Sequence, residues 1–177
     1  GDWSAASGWQ KTFELLHLQP RISAIVVAND QMALGVLSAL AQLNRSGSRA
    51  VSVTGYDDTA DSLYFQPPLT TVAQDFDLLG KRAVERLIAL GHRDIAFITG
   101  SLDSPTGVER LAGYKDALAG HGIALNEALI AEGRWTPETG AAGVESLRQR
   151  GVTYSALVAS NDDMAIGAMK QLHQLGV

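Results

Sequence analysis

The stretch Val26–Gly35 reads "VVANDQMALG", and Leu157–Gly167 reads "LVASNDDMAIG". The phrase is not confined to these few residues. Shifted by 132 positions, Gly1–Arg45 falls on Gly133–Val177 without a gap, and fifteen of the 45 positions are identical. They include Trp3/Trp135, Gly8/Gly140, Asn29/Asn161, Asp30/Asp162, Met32/Met164 and Gly35/Gly167. Two copies at the ends of the chain, with unrelated residues between, do not make a solenoid.

Each copy reads as helix, strand, helix. Ala5–Leu18 carries Trp9, Phe13, Leu15 and Leu16 at helix-like spacing. Ala24–Ala28 is a short apolar run, the pattern of a strand buried on both faces. Asn29-Asp30 then caps a helix over "QMALGVLSALAQL", since a short polar side chain can accept the first turn's orphan N–H groups. Met32 and Met164 are expected in the core.

Between the copies, Ala50–Gly55 reads as a buried strand and "YDDTADSLYFQPP" as a polar loop. "LTTVAQ" reads as a short strand, and Asp77–Leu90 as a helix with Leu78, Leu79, Ala83, Leu87 and Ile88 on one side. Asp94–Thr99 is a strand, Gly107–Gly120 a helix and Leu129–Glu132 a weak strand. Strands alternating with helices of this length imply an α/β protein, a parallel sheet between two helical layers. A single domain over residues 1–177 is expected.

In such sheets ligands collect at the carboxyl ends of the strands. Those ends carry Asn29, Asp30, Tyr56, Asp57, Asp58, Gln74, Gly100, Trp135, Asn161 and Asp162, with Arg110 in the following helix. Carboxylates, amides and one guanidinium fix hydroxyl groups, and an indole can lie under the apolar face of a pyranose, so the set suits a sugar. Each residue also has a plainer use. Asn29 and Asn161 serve as helix caps, and Asp57-Asp58 as a solvated turn. Arg110 can pair with Glu109 or Asp116, and Trp3 and Trp135 can be core.

The bulk properties narrow the function. The net charge of −5 argues against nucleic acid or an anionic membrane as a partner of this chain alone. Without cysteine, thiolate catalysis, disulfides and cysteine metal sites are excluded. Four scattered histidines show no metal spacing, and no nucleophile elbow, phosphate loop or dinucleotide fingerprint occurs, so neither an enzyme nor a metal or cofactor is expected. No apolar run approaches a membrane span, and "GDWSAASGWQ" lacks the features of a signal peptide, so a cytoplasmic protein is expected.

"GDWSAASGWQ", "ANDQMALG", "VSVTGYDD" and "PPLTTVAQDFDLLG" resemble, in that order, the effector-binding core of the lac/gal repressor family, over residues 1–88. "ALGHRDIAFITGSLDSPTGVERLAGYKDAL", "EGRWTPETG" and "ASNDDMAIGAM" resemble another member of that family over residues 89–177. The resemblance implies a Rossmann-like lobe of the type I periplasmic-binding-protein-like fold. It also implies a rearranged order, because in the family the "IAFITG" part precedes the "GYDD" part. The join falls in Phe76–His92, whose helix is similar to two family helices that pack on the other, N-terminal lobe. Both that lobe and the helix-turn-helix headpiece are expected to be absent. The chain therefore reads as a circularly permuted chimera holding two overlapping pieces of one lobe, engineered or recombined. A surplus copy of the 1–45 segment would add a sixth strand, compete for its twin's slot, or swap into a second molecule, and a homodimer is expected.

Carried over by resemblance, the sugar contacts fall on Trp3, Asn29, Asp57, Gln74, Phe76, Thr106, Arg110, Trp135 and Asn161. With only one lobe present, sugar affinity is expected to be weak or lost.

Overall fold

The computed structural model describes residues 1–44 and 50–177, so Arg45, the last residue of the first copy, lies outside it. The elements in order are α1 (Ala5–Leu18), β1 (Ala24–Val26), α2 (Asp30–Gln42) and β2 (Ser52–Thr54), then α3 (Phe76–Ala89), β3 (Ile95–Thr99) and α4 (Pro105–Gly120). β4 (Ile130–Glu132), α5 (Pro137–Gln149), β5 (Ala156–Ala159) and α6 (Asp162–Gln174) complete the chain. Single 3₁₀ turns occupy Ala60–Tyr64 and Glu127–Leu129.

The chain divides into two compact units, Gly1–Gln74 and Asp75–Val177. Where one sheet was expected, the strands form two, both parallel: β1-β2 in the first unit and β4-β3-β5 in the second. The repeat copies therefore neither share a slot nor extend a common sheet. β1 pairs with β2, and β5 pairs with β3 rather than with β4, its nearer neighbour in the chain. The expected strand "LTTVAQ" is reduced to two isolated bridges, Thr54 with Thr70 and Asp57 with Ala73.

The second unit has the expected three layers. Every residue of β3 is buried. Ala96 and Ile98 face Val144 and Leu147 of α5 and Met164 and Ala168 of α6. Ile95 and Phe97 face the other way, onto Val84 and Ile88 of α3 and Tyr114, Ala117 and Leu118 of α4. Thus α3, the helix expected on an absent lobe, packs here on the second unit's own sheet. Its buried line is Phe76, Gly80, Val84 and Ile88, whereas Leu78 and Leu79 are exposed. The line shifted because Gly80 lets α3 approach α4 so closely that a Cβ there would meet the Arg110 carbonyl.

The first unit covers one face only. Ala33, Val36 and Leu40 of α2 pack with Val27, Val51, Phe65 and Leu69. On the opposite face Ala24, Val26 and Ala28 are exposed, so the expectation of a strand buried on both faces fails for β1. The apolar line of α1 also differs from expectation. Gly8 and Thr12 are buried while Trp9 and Leu15 are partly exposed, because Gly8 sits against the Met32 backbone with no room for a side chain.

Candidate functional site

The nine sugar-contact candidates fall into two groups, four in the first unit and five in the second. Each group is organised by the αβα module that the repeat duplicates.

In both copies the loop before the first helix puts a tryptophan in the left-handed region, Trp3 at φ 70° and Trp135 at φ 68°. Such a conformation costs a bulky side chain energy and persists only where neighbours hold it. The asparagine supplies the hold. Asn29 Nδ2 donates to the Trp3 carbonyl at 3.1 Å while its Oδ1 accepts from the Met32 amide at 2.9 Å. Asn161 repeats this with the Trp135 carbonyl at 3.0 Å and the Met164 amide at 3.0 Å. Both asparagines thus do cap their helices, and the same amide ties the tryptophan loop to the strand end.

The second unit gathers an aromatic and cationic group. The Arg110 guanidinium, on α4, lies 4.3 Å from the centroid of the buried Phe76 ring and 5.3 Å from that of Trp135. Cations are drawn to ring faces by the quadrupole of the π-system, so the stack orients the planar donor fork. Trp135 is half-buried, and its ring lies where a Cβ on Gly100 would project, so the end of β3 has to be glycine. Thr106 sits one turn earlier on α4, its hydroxyl 3.2 Å from Ser104 Oγ, which caps the helix. Asn161 reaches this group through the Trp135 carbonyl. Arg110 thus stacks on two aromatic rings.

The first unit gathers carboxylates and amides. Gln74 Nε2 donates to Asp57 Oδ1 at 2.7 Å, and the Asp57 amide donates to the Val72 carbonyl at 3.0 Å. Asp57 and Asp58 both hold positive φ, 106° and 54°, so "YDD" is a constrained corner rather than a loose solvated turn. Trp3 is 67% exposed, so it is not core in this copy.

Asp30, which lies outside the sugar set, is a well-connected polar group of the first unit. It is fully buried; Oδ2 accepts the Thr59 amide at 2.8 Å and the Thr59 hydroxyl at 3.2 Å, and Oδ1 accepts the Thr71 hydroxyl at 2.6 Å. A Cβ on Gly55 would collide with Asp30 Oδ1. The available signal was the joint presence of "ND", "TGYDDT" and "TT", short polar residues that a buried carboxylate needs as donors.

Residues 2–90 and 84–177 each match the family model of the periplasmic binding protein-like domain. The chain belongs to that family, as effector-binding-domain sequence of the lac/gal repressor type. The lactose operon repressor of Klebsiella pneumoniae is 99% identical over 90 residues, 51% of this chain and 25% of that protein. The HTH-type transcriptional regulator AscG of Escherichia coli (strain K12) is 73% identical over 95 residues, 54% of this chain and 28% of that protein. The crystal structure of a sugar-binding transcriptional regulator of the LacI family from Escherichia coli, complexed with phosphate, matches with a TM-score of 0.63 at 46% identity. That match covers 95% of this chain and 57% of that one. The chain thus spans about a quarter of the length of these curated relatives. They are named as transcriptional regulators, not as enzymes. Among the described residues no helix is long and apolar enough to cross a membrane, and no cluster of His, Cys, Asp or Glu is suited to a metal ion.

Proposed function

We propose that this chain carries a sugar-effector half-site in its second unit. The observation that supports the reading is the Arg110 guanidinium stacked on Phe76 and Trp135. Arg110 would direct its fork at sugar hydroxyls, Trp135 would offer an apolar floor, and Thr106 and Asn161 would complete the rim. Asp57, Gln74, Asn29 and Trp3 would form the corresponding rim in the first unit. The solved relative described as sugar-binding belongs to the same family. A half-site leaves the sugar open to water, so each hydrogen bond competes with solvent. Affinity is then weak, in the millimolar range, about 4 kcal/mol. With a net charge of −5 the chain by itself has no affinity for DNA, and it acts in the cytoplasm.

We also infer that the chain joins two partial copies of one lobe in permuted order, and that it self-associates as a dimer, by domain swapping. The two family matches overlap only at residues 84–90, in the last turns of α3 and its cap, which supports α3 as the join. A second reading follows from the same observation: a recombined scaffold that folds and binds nothing.

Thermal unfolding with a panel of galactosides, glucosides and other sugars separates the readings. A saturable rise in melting temperature that disappears in Arg110→Ala supports the half-site. A cooperative transition that no sugar moves overturns it in favour of the scaffold.

A further inference from the structure

Asn161 has both ends of its carboxamide committed within its own module. Oδ1 accepts from the Met164 amide at 3.0 Å, and Nδ2 donates to the Trp135 carbonyl at 3.0 Å. One partner is a donor and the other an acceptor, so a single orientation of the carboxamide satisfies both. Met164 is fully buried, and a Cβ on Gly133 would meet its sulfur. Trp135 is thereby tied to the buried first turn of α6 through one side chain. Thr139 clamps the flanks of the same loop: its hydroxyl accepts the Arg134 amide at 2.9 Å and the Thr136 amide at 3.3 Å.

These bonds fix the place of the indole. Left-handed backbone is disfavoured for a residue with a Cβ, and it lasts only where neighbours hold it. Trp135 is held there at φ 68°, and the six-membered end of its ring lies against Gly100, where an added Cβ would run into Cζ2, Cη2 and Cζ3. The Arg110 guanidinium lies 5.3 Å from the centroid of the same ring. Released to an extended φ, the backbone would send the side chain in another direction and part the ring from both.

We propose that Asn161 is a positioning residue of the half-site, acting on a ligand through Trp135 and, through that ring, on the Arg110 fork. The inference rests on the half-site reading. The first copy separates what the asparagine does from what the ring meets. Asn29 makes the same two bonds, and the Ser7 hydroxyl accepts the Asp2 amide as Thr139 accepts that of Arg134. Trp3 is nevertheless 67% exposed. The hold thus sets the backbone in both copies. In the second it places a ring that in turn places a cation.

The chain carrying Trp3→Phe and Trp9→Phe keeps Trp135 as its one tryptophan. Asn161→Asp in that background still offers an oxygen to the Met164 amide, and aspartate caps a helix as well as asparagine does. What it removes is the donor to the Trp135 carbonyl. The expected result is a cooperative thermal transition close to the parent's, a Trp135 emission shifted to the red, and an Arg110 Nε–H resonance displaced as the ring current is lost. An unchanged emission or an unmoved Arg110 resonance in the folded variant overturns the proposal. Asn161→Ser, a second capping residue without an amide donor, is read in the same way if the aspartate variant fails to fold. Asn29→Asp leaves both signals in place; a shift there would mean general loosening and would also overturn it. These signals need no ligand, so they decide the positioning role even where no sugar moves the melting temperature and the half-site reading fails. Where a sugar binds, Asn161→Asp weakens it about fivefold, the worth of one hydrogen bond, and adds nothing to Trp135→Ala. An equal further loss on top of Trp135→Ala would make Asn161 a direct contact and overturn its positioning role.

Discussion

The two copies of the repeat are one local structure in two surroundings. Their helix caps, their left-handed tryptophans and their glycine contacts agree almost atom for atom. Gly8 and Gly140 face the backbones of Met32 and Met164, and Gly35 and Gly167 face the carbonyls of Ala5 and Pro137. What differs is what lies beyond the module. Asp30 is fully buried and accepts three hydrogen bonds from Thr59 and Thr71, while its twin Asp162 is exposed. Met164 is fully buried in the cluster that Ala96 and Ile98 of β3 and Ala131 of β4 complete, and Met32 is only partly buried. A sequence can therefore carry the whole instruction for a supersecondary unit and none of the instruction for its burial.

The largest expected effect tests the shared part. Gly8→Ala and Gly140→Ala each force a methyl into a backbone carbonyl, which costs about 3 kcal/mol or more. In urea unfolding, Gly8→Ala should weaken the first unit and Gly140→Ala the second. Amide exchange should then rise in α1 and α2 for one variant and in α5 and α6 for the other. Equal loss across both units in either variant would show that the copies are not energetically separate.

The next effect breaks the symmetry. Asp30→Ala leaves the Thr59 amide and the Thr71 hydroxyl without their acceptor, a loss of about 2–3 kcal/mol. Asp162→Ala loses only a carboxylate at an exposed helix N-terminus, about 0.5 kcal/mol. Equal costs by denaturant midpoint would refute the role given to burial.

Trp135→Ala removes a half-buried ring that packs on Gly100 and under Arg110, at a cost of about 1.5 kcal/mol. Trp3→Ala removes an exposed ring and should stay within about 0.5 kcal/mol. Single-tryptophan variants should show the redder emission for Trp3.

The smallest effect is electrostatic. Glu145 accepts from the Arg148 side chain and then from Gln149, and these bonds hold its carboxyl down at about 2, against an ordinary 4.5. A depressed folded-state value stabilises above the ordinary value and is lost as pH falls through the folded one. The contribution is thus complete above pH 4.5 and gone below about 2. The counterpart of Glu145 is Phe13, so only the second unit has this acid-sensitive pair. An NMR titration of Glu145 should show the low midpoint, and Arg148→Ala should return it toward the ordinary value; an unmoved midpoint would show that Arg148 is not the cause.

Much of the fold was legible in the residues. Helix α1 was readable from its spacing, and α2 from Asn29. The capping role of Asn29 and Asn161 was readable because a cap is a contact three residues long. The line of burial on α1 and α3 was not, since Trp9, Leu78 and Leu79 compete with glycines that allow closer helix contact. Within the candidate site, Arg110 was named from its position after β3, but its stacking depends on α3 delivering Phe76 and the second copy delivering Trp135.

By itself, the sequence determined the repeated helix–strand–helix and its internal joints, because caps, glycine contacts and strand runs are settled within a few turns of chain. Only the tertiary structure decided which copy was enclosed. Burial depends on surfaces brought from elsewhere in the chain: β3 pairs with β5 of the second copy, whereas β1 of the first copy pairs with β2.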